Sequence, residues 1–213
     1  MDKYNVYQDM SRRTGGEIYL GIVGPVRTGK STFIKRFMEL VVIPEMTDDN
    51  EKVRTIDELP QSADGKTIMT TEPKFIPKEA AVIHFSNQET GKIRLIDCVG
   101  YLVPEAVGAI EEEKERMVKT PWSEEEIPFS KAAEIGTSKV IREHSNLGLI
   151  IITDGSFGDI PAVNFEEALQ KTVMECEKAG KPFLILVNTS RPDSQETIQF
   201  TKRLEAQYGK TVM

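Results

Sequence analysis

Gly24-Pro25-Val26-Arg27-Thr28-Gly29-Lys30-Ser31 is the stretch from which the rest of the chain is read. The pattern G-x-x-x-x-G-K-S describes a turn whose backbone N–H groups converge on a polyphosphate, with the positive end of the next helix aimed at the same charge. Gly24 and Gly29 allow the tight turn and a close approach. Lys30 is placed to reach the β- and γ-phosphates, and the Ser31 hydroxyl to take one position on the magnesium that accompanies a nucleotide. The flanks agree. Ile18-Tyr19-Leu20-Gly21-Ile22-Val23 is an apolar run that reads as a strand, and from Thr32 onward Phe33, Phe37 and Leu40 fall on one helical face. Strand, loop and helix in that order make a phosphate-binding loop, or P-loop. A chance glycine-rich turn with a surface lysine would not carry such flanks.

The chain has 213 residues, enough for one good core, so a single α/β domain over 17–213 is expected after an extension of residues 1–16. In that extension Val6, Tyr7 and Met10 are spaced like one side of a short helix. The net charge is −7 and no block of Lys and Arg offsets it, which argues against nucleic acid as a partner. No run of about 18 apolar residues and no basic-then-apolar leader occurs, so neither a transmembrane segment nor a secretion signal is expected. Cys98 and Cys176 are too few and too far apart for a disulfide framework or a zinc site, and a cytoplasmic setting is the simple fit.

Downstream, residues 44–65 are polar and acidic, with Asp48, Asp49, Glu51, Asp57 and Glu58, and read as a solvated loop. They lead to Thr70-Thr71, where a GTPase-like P-loop protein needs a threonine that folds over the γ-phosphate and adds a magnesium ligand. Ala81-Val82-Ile83-His84-Phe85 and Ile93-Arg94-Leu95-Ile96-Asp97 are two strands joined by a polar connection, hence antiparallel neighbours at a sheet edge. The second ends in Asp97-Cys98-Val99-Gly100. A carboxylate at a strand end orders the metal's water shell, and the Gly100 N–H is placed to bond the γ-phosphate, so Asp97 is the expected Walker B acid. Tyr101 stands where many Ras-like GTPases have a water-orienting glutamine, which predicts slow turnover.

Residues 104–128 read as an insertion with a short charged helix around Glu111 and a loop tip carrying Trp122, packed on the domain. A helix follows over 129–143, with His144 at its end near the negative pole of the dipole. The apolar runs from Leu147 to Thr153 and from Phe183 to Asn188 are central parallel strands, each followed or preceded by an amphipathic helix. Asp154, leaving the first of them, either faces the nucleotide or caps its loop. Lys210-Thr211-Val212-Met213 looks like the start of a further strand, so the chain reads as truncated before C-terminal domains. The expected architecture is α/β: a P-loop NTPase of the GTPase-like (TRAFAC) type, with a mostly parallel sheet, one antiparallel edge strand, and helices on both faces.

The base is read from Asn188-Thr189-Ser190-Arg191. Guanine-specific members carry N-K-x-D there, the aspartate accepting two base donors. With Arg191 in the acid's place, guanine would leave two donors unpaired at about 1–3 kcal/mol each. ATP is the expected nucleotide, with Mg2+. The candidate nucleotide contacts are Gly24, Arg27, Thr28, Gly29, Lys30, Ser31 and Thr32, with Asn188 and Arg191 on the base side. The candidate catalytic group is Thr70, Thr71, Asp97 and Gly100, and the candidate metal ligands are Ser31, Thr71 and Asp97. Arg27 reads equally well as a charge stabiliser and as a solvated loop arginine.

Several words go beyond generic P-loop signals: Thr14-Gly15-Gly16, Phe37-Met38-Glu39-Leu40-Val41-Val42, Asp57-Glu58-Leu59-Pro60-Gln61-Ser62, Asp97-Cys98-Val99-Gly100-Tyr101, Thr120-Pro121-Trp122 and Ala132-Ala133-Glu134-Ile135-Gly136-Thr137. Through them the chain resembles the amino-terminal domain of the stage IV sporulation protein A family, along almost its whole length. The resemblance implies ATP hydrolysis coupled to self-assembly of a spore-coat platform in the mother-cell cytoplasm, at the forespore outer surface. It implies Lys30 for ATP binding, Thr70 and Thr71 for sensing the γ-phosphate, and Asp97 for magnesium and hydrolysis. The implied partners are further copies of the protein, through C-terminal regions, a small amphipathic membrane-anchoring peptide, and other coat proteins. Two alternatives remain at this point: a GTPase switch acting on a partner, and a scaffold that binds nucleotide without turnover.

Overall fold

The computed structural model describes residues 16–60, 71–84, 90–106, 110–111 and 114–213. The expected helix around Val6, Tyr7 and Met10, the segment 65–70 with Thr70, and Phe85 lie outside the described residues. A five-stranded sheet is built from β1 (Glu17–Val23), β2 (Lys74–His84), β3 (Thr90–Asp97), β8 (Leu147–Thr153) and β9 (Phe183–Asn188), in the order β2-β3-β1-β8-β9. Every pairing is parallel except β2 with β3, which is antiparallel at one edge. This is the mainly parallel sheet with one antiparallel edge strand that the apolar runs predict.

Alternation along the central strands explains why both faces carry helices. In β8, Leu149 and Ile151 join Ile22, Leu95, Ile34, Met38 and Val42 on one face, whereas Ile150 and Ile152 join Val23, Ile96, Leu169, Val173 and Cys176 on the other. Successive strand residues point to opposite faces, so a strand apolar at every position is buried only between two layers. Helix α1 (Lys30–Phe37) covers the first face, and α4 (Glu166–Lys178) the second. The final helix α5 (Gln195–Tyr208) adds Leu204 to the second face, and residues 211–213 run beside β9 through Ile185↔Val212.

Three expectations are corrected. Leu40 is 71% exposed, because α1 passes into a wider π turn over Met38–Val42 and its buried line runs through Ile34, Met38 and Val42 instead. The wider turn delays each later side chain around the axis, so a 3.6-residue register misplaces Leu40. Among its described residues, 44–60, the acidic segment is largely helical. A 3₁₀ turn over Ile43–Glu45 precedes α2 (Asp49–Glu58), and Asp48 caps it by accepting from the Asn50 and Glu51 N–H groups at 2.7 and 3.1 Å. Asp49 and Glu51 in the first turn suit the positive end of the helix, so acidity that read as solvation is helix-start chemistry.

The insertion holds no charged helix among the described residues. It forms two antiparallel pairs, β4 (Ile110–Glu111) with β5 (Lys114–Glu115) and β6 (Met117–Thr120) with β7 (Ser123–Pro128). Around Glu111, where the helix is expected, the described residues are the β4–β5 pair; further on Thr120↔Ser123 closes a hairpin, and Pro121 and Pro128 leave too few residues around Glu124-Glu125-Glu126 for a helix there. Trp122 sits half-buried at that turn. Helix α3 (Phe129–Lys139) and a π turn over Val140–His144 follow, and the His144 ring meets Phe75 edge-on at 5.4 Å.

Candidate active site

Register carries the site. Ile22 pairs with Asp97, Val23 with Ile150, and Thr153 with Asn188, so the carboxyl ends of β1, β3, β8 and β9 finish together. Open parallel sheets bind ligands at this edge, where the connections leave the strands. The P-loop, the Asp97-Cys98-Val99-Gly100 turn, Asp154 and Asn188 all leave from it.

The P-loop is held from within. Thr28 is fully buried, and its hydroxyl donates to the Pro25 carbonyl at 3.0 Å. The Val26 N–H donates to the Tyr101 carbonyl at 2.9 Å, tying the loop to the turn after β3. Gly100 has φ +94°, and a Cβ there would meet the Gly24 carbonyl oxygen at 2.1 Å and Lys30 Nζ at 2.6 Å. Only glycine fits a backbone pressed this close. Gly29, at φ +89°, precedes α1, and a Cβ there would meet Asn188 Nδ2 at 2.3 Å.

The ionic centre is compact. Lys30 Nζ donates to the Pro25 carbonyl at 2.5 Å and to the Gly24 carbonyl at 3.5 Å, and burial pulls its pKa below the usual lysine value. Ser31 Oγ donates to Asp97 Oδ2 at 2.7 Å across 66 positions of sequence. Asp97 Oδ1 is enclosed and has no hydrogen-bond partner. Burial raises the Asp97 pKa, and the Ser31 hydrogen bond and the Lys30 charge offset this only in part. A carboxylate with an enclosed, unpaired oxygen beside a hydroxyl suits a hard cation that keeps most of its water. Among the described residues no group of three His, Cys, Asp or Glu side chains surrounds a metal position. One carboxylate, hydroxyls and phosphate oxygens are the donor set that magnesium takes at such sites.

The remaining expected residues fall in different places. Thr70 lies outside the described residues. Thr71 is buried beside α3, where a Cβ on Gly136 would meet its carbonyl oxygen at 2.6 Å, and among the described residues no hydrogen bond joins it to Ser31 or Asp97. Arg27 and Thr32 are exposed at the mouth of the loop, Arg27 with φ +59°. Tyr101 is buried in the core, with the Lys171 ammonium 5.0 Å from its ring centre, so its side chain packs into the domain. Burial drives its phenol pKa well upward.

On the base side, Asn188 Nδ2 donates to the Thr28 carbonyl at 3.0 Å, linking the end of β9 to the P-loop. Arg191 is exposed, and its N–H donates to Thr189 Oγ1 at 3.0 Å. Asp154, for which two readings stood open, bonds its neighbours: it accepts from the Ser156 N–H at 2.9 Å and from the hydroxyls of Thr189 at 2.7 Å and Thr197 at 2.8 Å.

With this geometry in place, comparison with known proteins is decisive. Residues 1–213 match the family model described as stage IV sporulation protein A, ATPase domain. The chain belongs to that family. Stage IV sporulation protein A of Bacillus subtilis (strain 168) is 52% identical over 213 residues, covering 100% of this chain and 43% of the relative. The protein of the same name from Clostridioides difficile (strain 630) is 48% identical over 209 residues, covering 98% of this chain and 43% of the relative. The chain therefore spans less than half the length of these curated relatives.

Within this member of the stage IV sporulation protein A ATPase-domain family, sequence reasoning missed the residues that brace the site. Thr189, Thr197, Ser156 and Gly136 bear on it through partners 33 to 65 positions away. The one local signal was Ser194, whose side chain accepts from the Thr197 N–H and starts α5. That pattern announces a helix and says nothing of an aspartate just past the end of β8.

Proposed function

We propose that this domain hydrolyses ATP with magnesium, slowly, and that turnover drives self-assembly of the full-length protein into the basement layer of the spore coat. The observation that carries the hydrolytic reading is the Ser31–Asp97 hydrogen bond of 2.7 Å with the enclosed Asp97 Oδ1 left unpaired, beside the buried Lys30 amine. The family's description as an ATPase domain supports it, as does Arg191 standing in place of a guanine-accepting acid.

In this mechanism the P-loop N–H groups and Lys30 orient the β- and γ-phosphates. Ser31 and Thr71 would hold magnesium, with Asp97 bonding its water. When bound there, the ion would neutralise charge on the phosphate oxygens and so favour in-line attack by water. The Gly100 N–H steadies the γ-phosphate, and Thr70 and Thr71 sense it, holding their segment until the phosphate leaves. Turnover is slow because the Tyr101 side chain is packed in the core, so its position supplies no group to orient the attacking water.

For the whole protein we propose a mother-cell cytoplasmic setting, peripheral to the forespore outer surface. Copies of itself, a small amphipathic membrane-anchoring peptide and other coat proteins are its partners there. Among the described residues no helix is long and apolar enough to cross a membrane.

The test is phosphate release from ATP and from GTP, each with and without magnesium, combined with sedimentation of the full-length protein. Turnover of ATP that requires magnesium and precedes sedimentation is expected. Lys30→Ala should abolish binding, and Asp97→Ala should bind but not turn over. A preference for GTP would overturn the reading in favour of a switch, and normal hydrolysis by Asp97→Ala would remove Asp97 from the metal site.

A further inference from the structure

The loop that follows β9 is held by a closed network of hydroxyls around one carboxylate. Asp154 Oδ2 accepts from Thr189 Oγ1 at 2.7 Å and from Thr197 Oγ1 at 2.8 Å, while Oδ1 accepts from the Ser156 N–H at 2.9 Å. These donors belong to three separate segments: the turn after β8, the loop after β9 and the first turn of α5. A second set of bonds ties the same segments. The Ser190 N–H donates to Ser156 Oγ at 2.8 Å, and Ser190 Oγ donates to the Ser156 carbonyl at 3.0 Å. The Arg191 N–H takes the Thr189 hydroxyl as its acceptor at 3.0 Å.

Thr189 follows directly on Asn188, whose amide bonds the Thr28 carbonyl of the P-loop. One residue therefore separates the Asp154 anchor from the contact that sets the distance between base side and phosphate side. We infer that Asp154 is a positioning residue for base recognition: without touching the nucleotide, it fixes the loop of residues 188–191 as the wall that meets adenine. The inference rests on the ATP reading above.

Two features support it. The Thr189 and Ser190 side chains, which occupy the middle of the degraded N-K-x-D pattern, are both committed to partners inside the fold. The wall left to a base is therefore the loop backbone together with Asn188 and Arg191. Asp154 is also a carboxylate close to the base side, and three donors already occupy its oxygens, so it is not free to accept the paired N–H groups of guanine. The device that shapes the loop thus also withholds this acid from guanine. Partial burial acts to raise the carboxyl's pKa, but the Ser156, Thr189 and Thr197 hydrogen bonds outweigh it and hold the group down at about 2, ionised at any physiological pH.

The experiment compares Mg-ATP, Mg-GTP and Mg-tripolyphosphate binding to the full-length protein by isothermal titration, in wild type, Asp154→Ala, Asp154→Asn and Thr189→Val. Tripolyphosphate reports the phosphate side alone. Asp154→Ala is expected to weaken ATP by about tenfold or more, the size of a lost charge-assisted hydrogen-bond set, with tripolyphosphate affinity within about twofold of wild type. Thr189→Val, which leaves the aspartate in place, should reproduce part of the loss, and Asp154→Asn, which keeps an acceptor for the hydroxyls, should recover part of it. Equal losses for ATP and tripolyphosphate would reduce Asp154 to a general structural role and overturn the inference. So would unchanged ATP binding in Thr189→Val together with either Asp154 variant. Wild-type protein that binds ATP no better than tripolyphosphate would also overturn it while leaving hydrolysis standing. Wild-type protein that binds neither would overturn the proposed function itself.

Discussion

Two aspartates at the same sheet edge are held in opposite ways, and the contrast yields predictions. Asp97 has one oxygen enclosed and unpaired, and the Ser31 bond and the Lys30 charge offset its burial only in part, so its charge opposes the fold until a further cation arrives. Asp97→Asn keeps an acceptor for Ser31 and removes that charge. The nucleotide-free variant should gain about 1 kcal/mol, a rise in Tm of about 2–4 °C, while losing turnover. A melting scan beside a phosphate-release assay checks both, and a fall in Tm would show that the charge is already compensated. Asp154 is the reverse case, with a pKa depressed to about 2 by its donors. A depressed carboxylate contributes stability above its ordinary pKa of about 3.9 and loses it as pH falls toward the folded value. The gap in urea midpoint between wild type and Asp154→Asn should be flat from about pH 8 to pH 5 and narrow from about pH 4 downward. A gap constant to about pH 3 would mean that the hydroxyl bonds do not depend on the charge. The phosphate side of this site was legible because Gly24, Gly29, Lys30, Ser31, Asp97 and Gly100 each act through a fixed local spacing. The brace around Asp154 was not, because threonines 35 and 43 positions away carry no local pattern that names their acceptor.

Elements show the same division. The parallel strands could be read because burial on both faces forces an unbroken apolar run, and Leu149 to Ile152 could serve no other purpose. Helix α2 was hidden because Asp48, Asp49 and Glu51 stabilise a helix start as readily as they solvate a loop, and its exposed Val53 and Ile56 blur the apolar stripe. The β6–β7 hairpin was hidden because glutamates favour helix intrinsically and the flanking prolines decide otherwise. Helix α3 has a role that only packing reveals. Ala132, Ala133 and Gly136 give it a narrow buried face, and the Thr71 carbonyl lies where a Gly136 side chain would be, at 2.6 Å. Gly136→Ala must therefore displace the Thr71 segment, and the neighbour is backbone, which yields little. We expect a loss of about 1–3 kcal/mol in stability and a fall in turnover larger than any change in ATP affinity. Thermal melting with single-turnover kinetics tests this. Lowered stability with unchanged turnover would detach Thr71 from the reaction.

At the scale of the whole molecule the two sheet edges are managed differently. Strand β2 protects its own edge: its register shifts between Ile76 and Ala81, Pro77 interrupts the ladder, and Lys74, Lys78 and Glu79 are exposed along it. Bulges, prolines and charges are the usual means of discouraging strand addition. Strand β9 has none of these among Phe183–Asn188, and residues 211–213 cover it instead. The Ile185 N–H donates to the Thr211 carbonyl at 3.0 Å, the Met213 N–H to the Ile185 carbonyl at 2.9 Å, and the Val187 N–H to the Met213 carbonyl at 2.7 Å. Val212 is only 6% exposed between them. Removing residues 211–213 would lose these bonds, at about 0.5–1.5 kcal/mol each, together with the burial of one valine. It would also bare the edge of the strand that ends in Asn188. A loss of about 2–4 kcal/mol is expected, read as a lower urea midpoint, together with concentration-dependent light scattering as bare β9 edges pair. Because Asn188 holds the P-loop through Thr28, ATP affinity should fall in the same variant. An unchanged midpoint and a monodisperse sample would show that the β9 edge is stable uncovered. In that case the base side of the site would owe its rigidity to Asp154 and the hydroxyls around it, and not to the sheet.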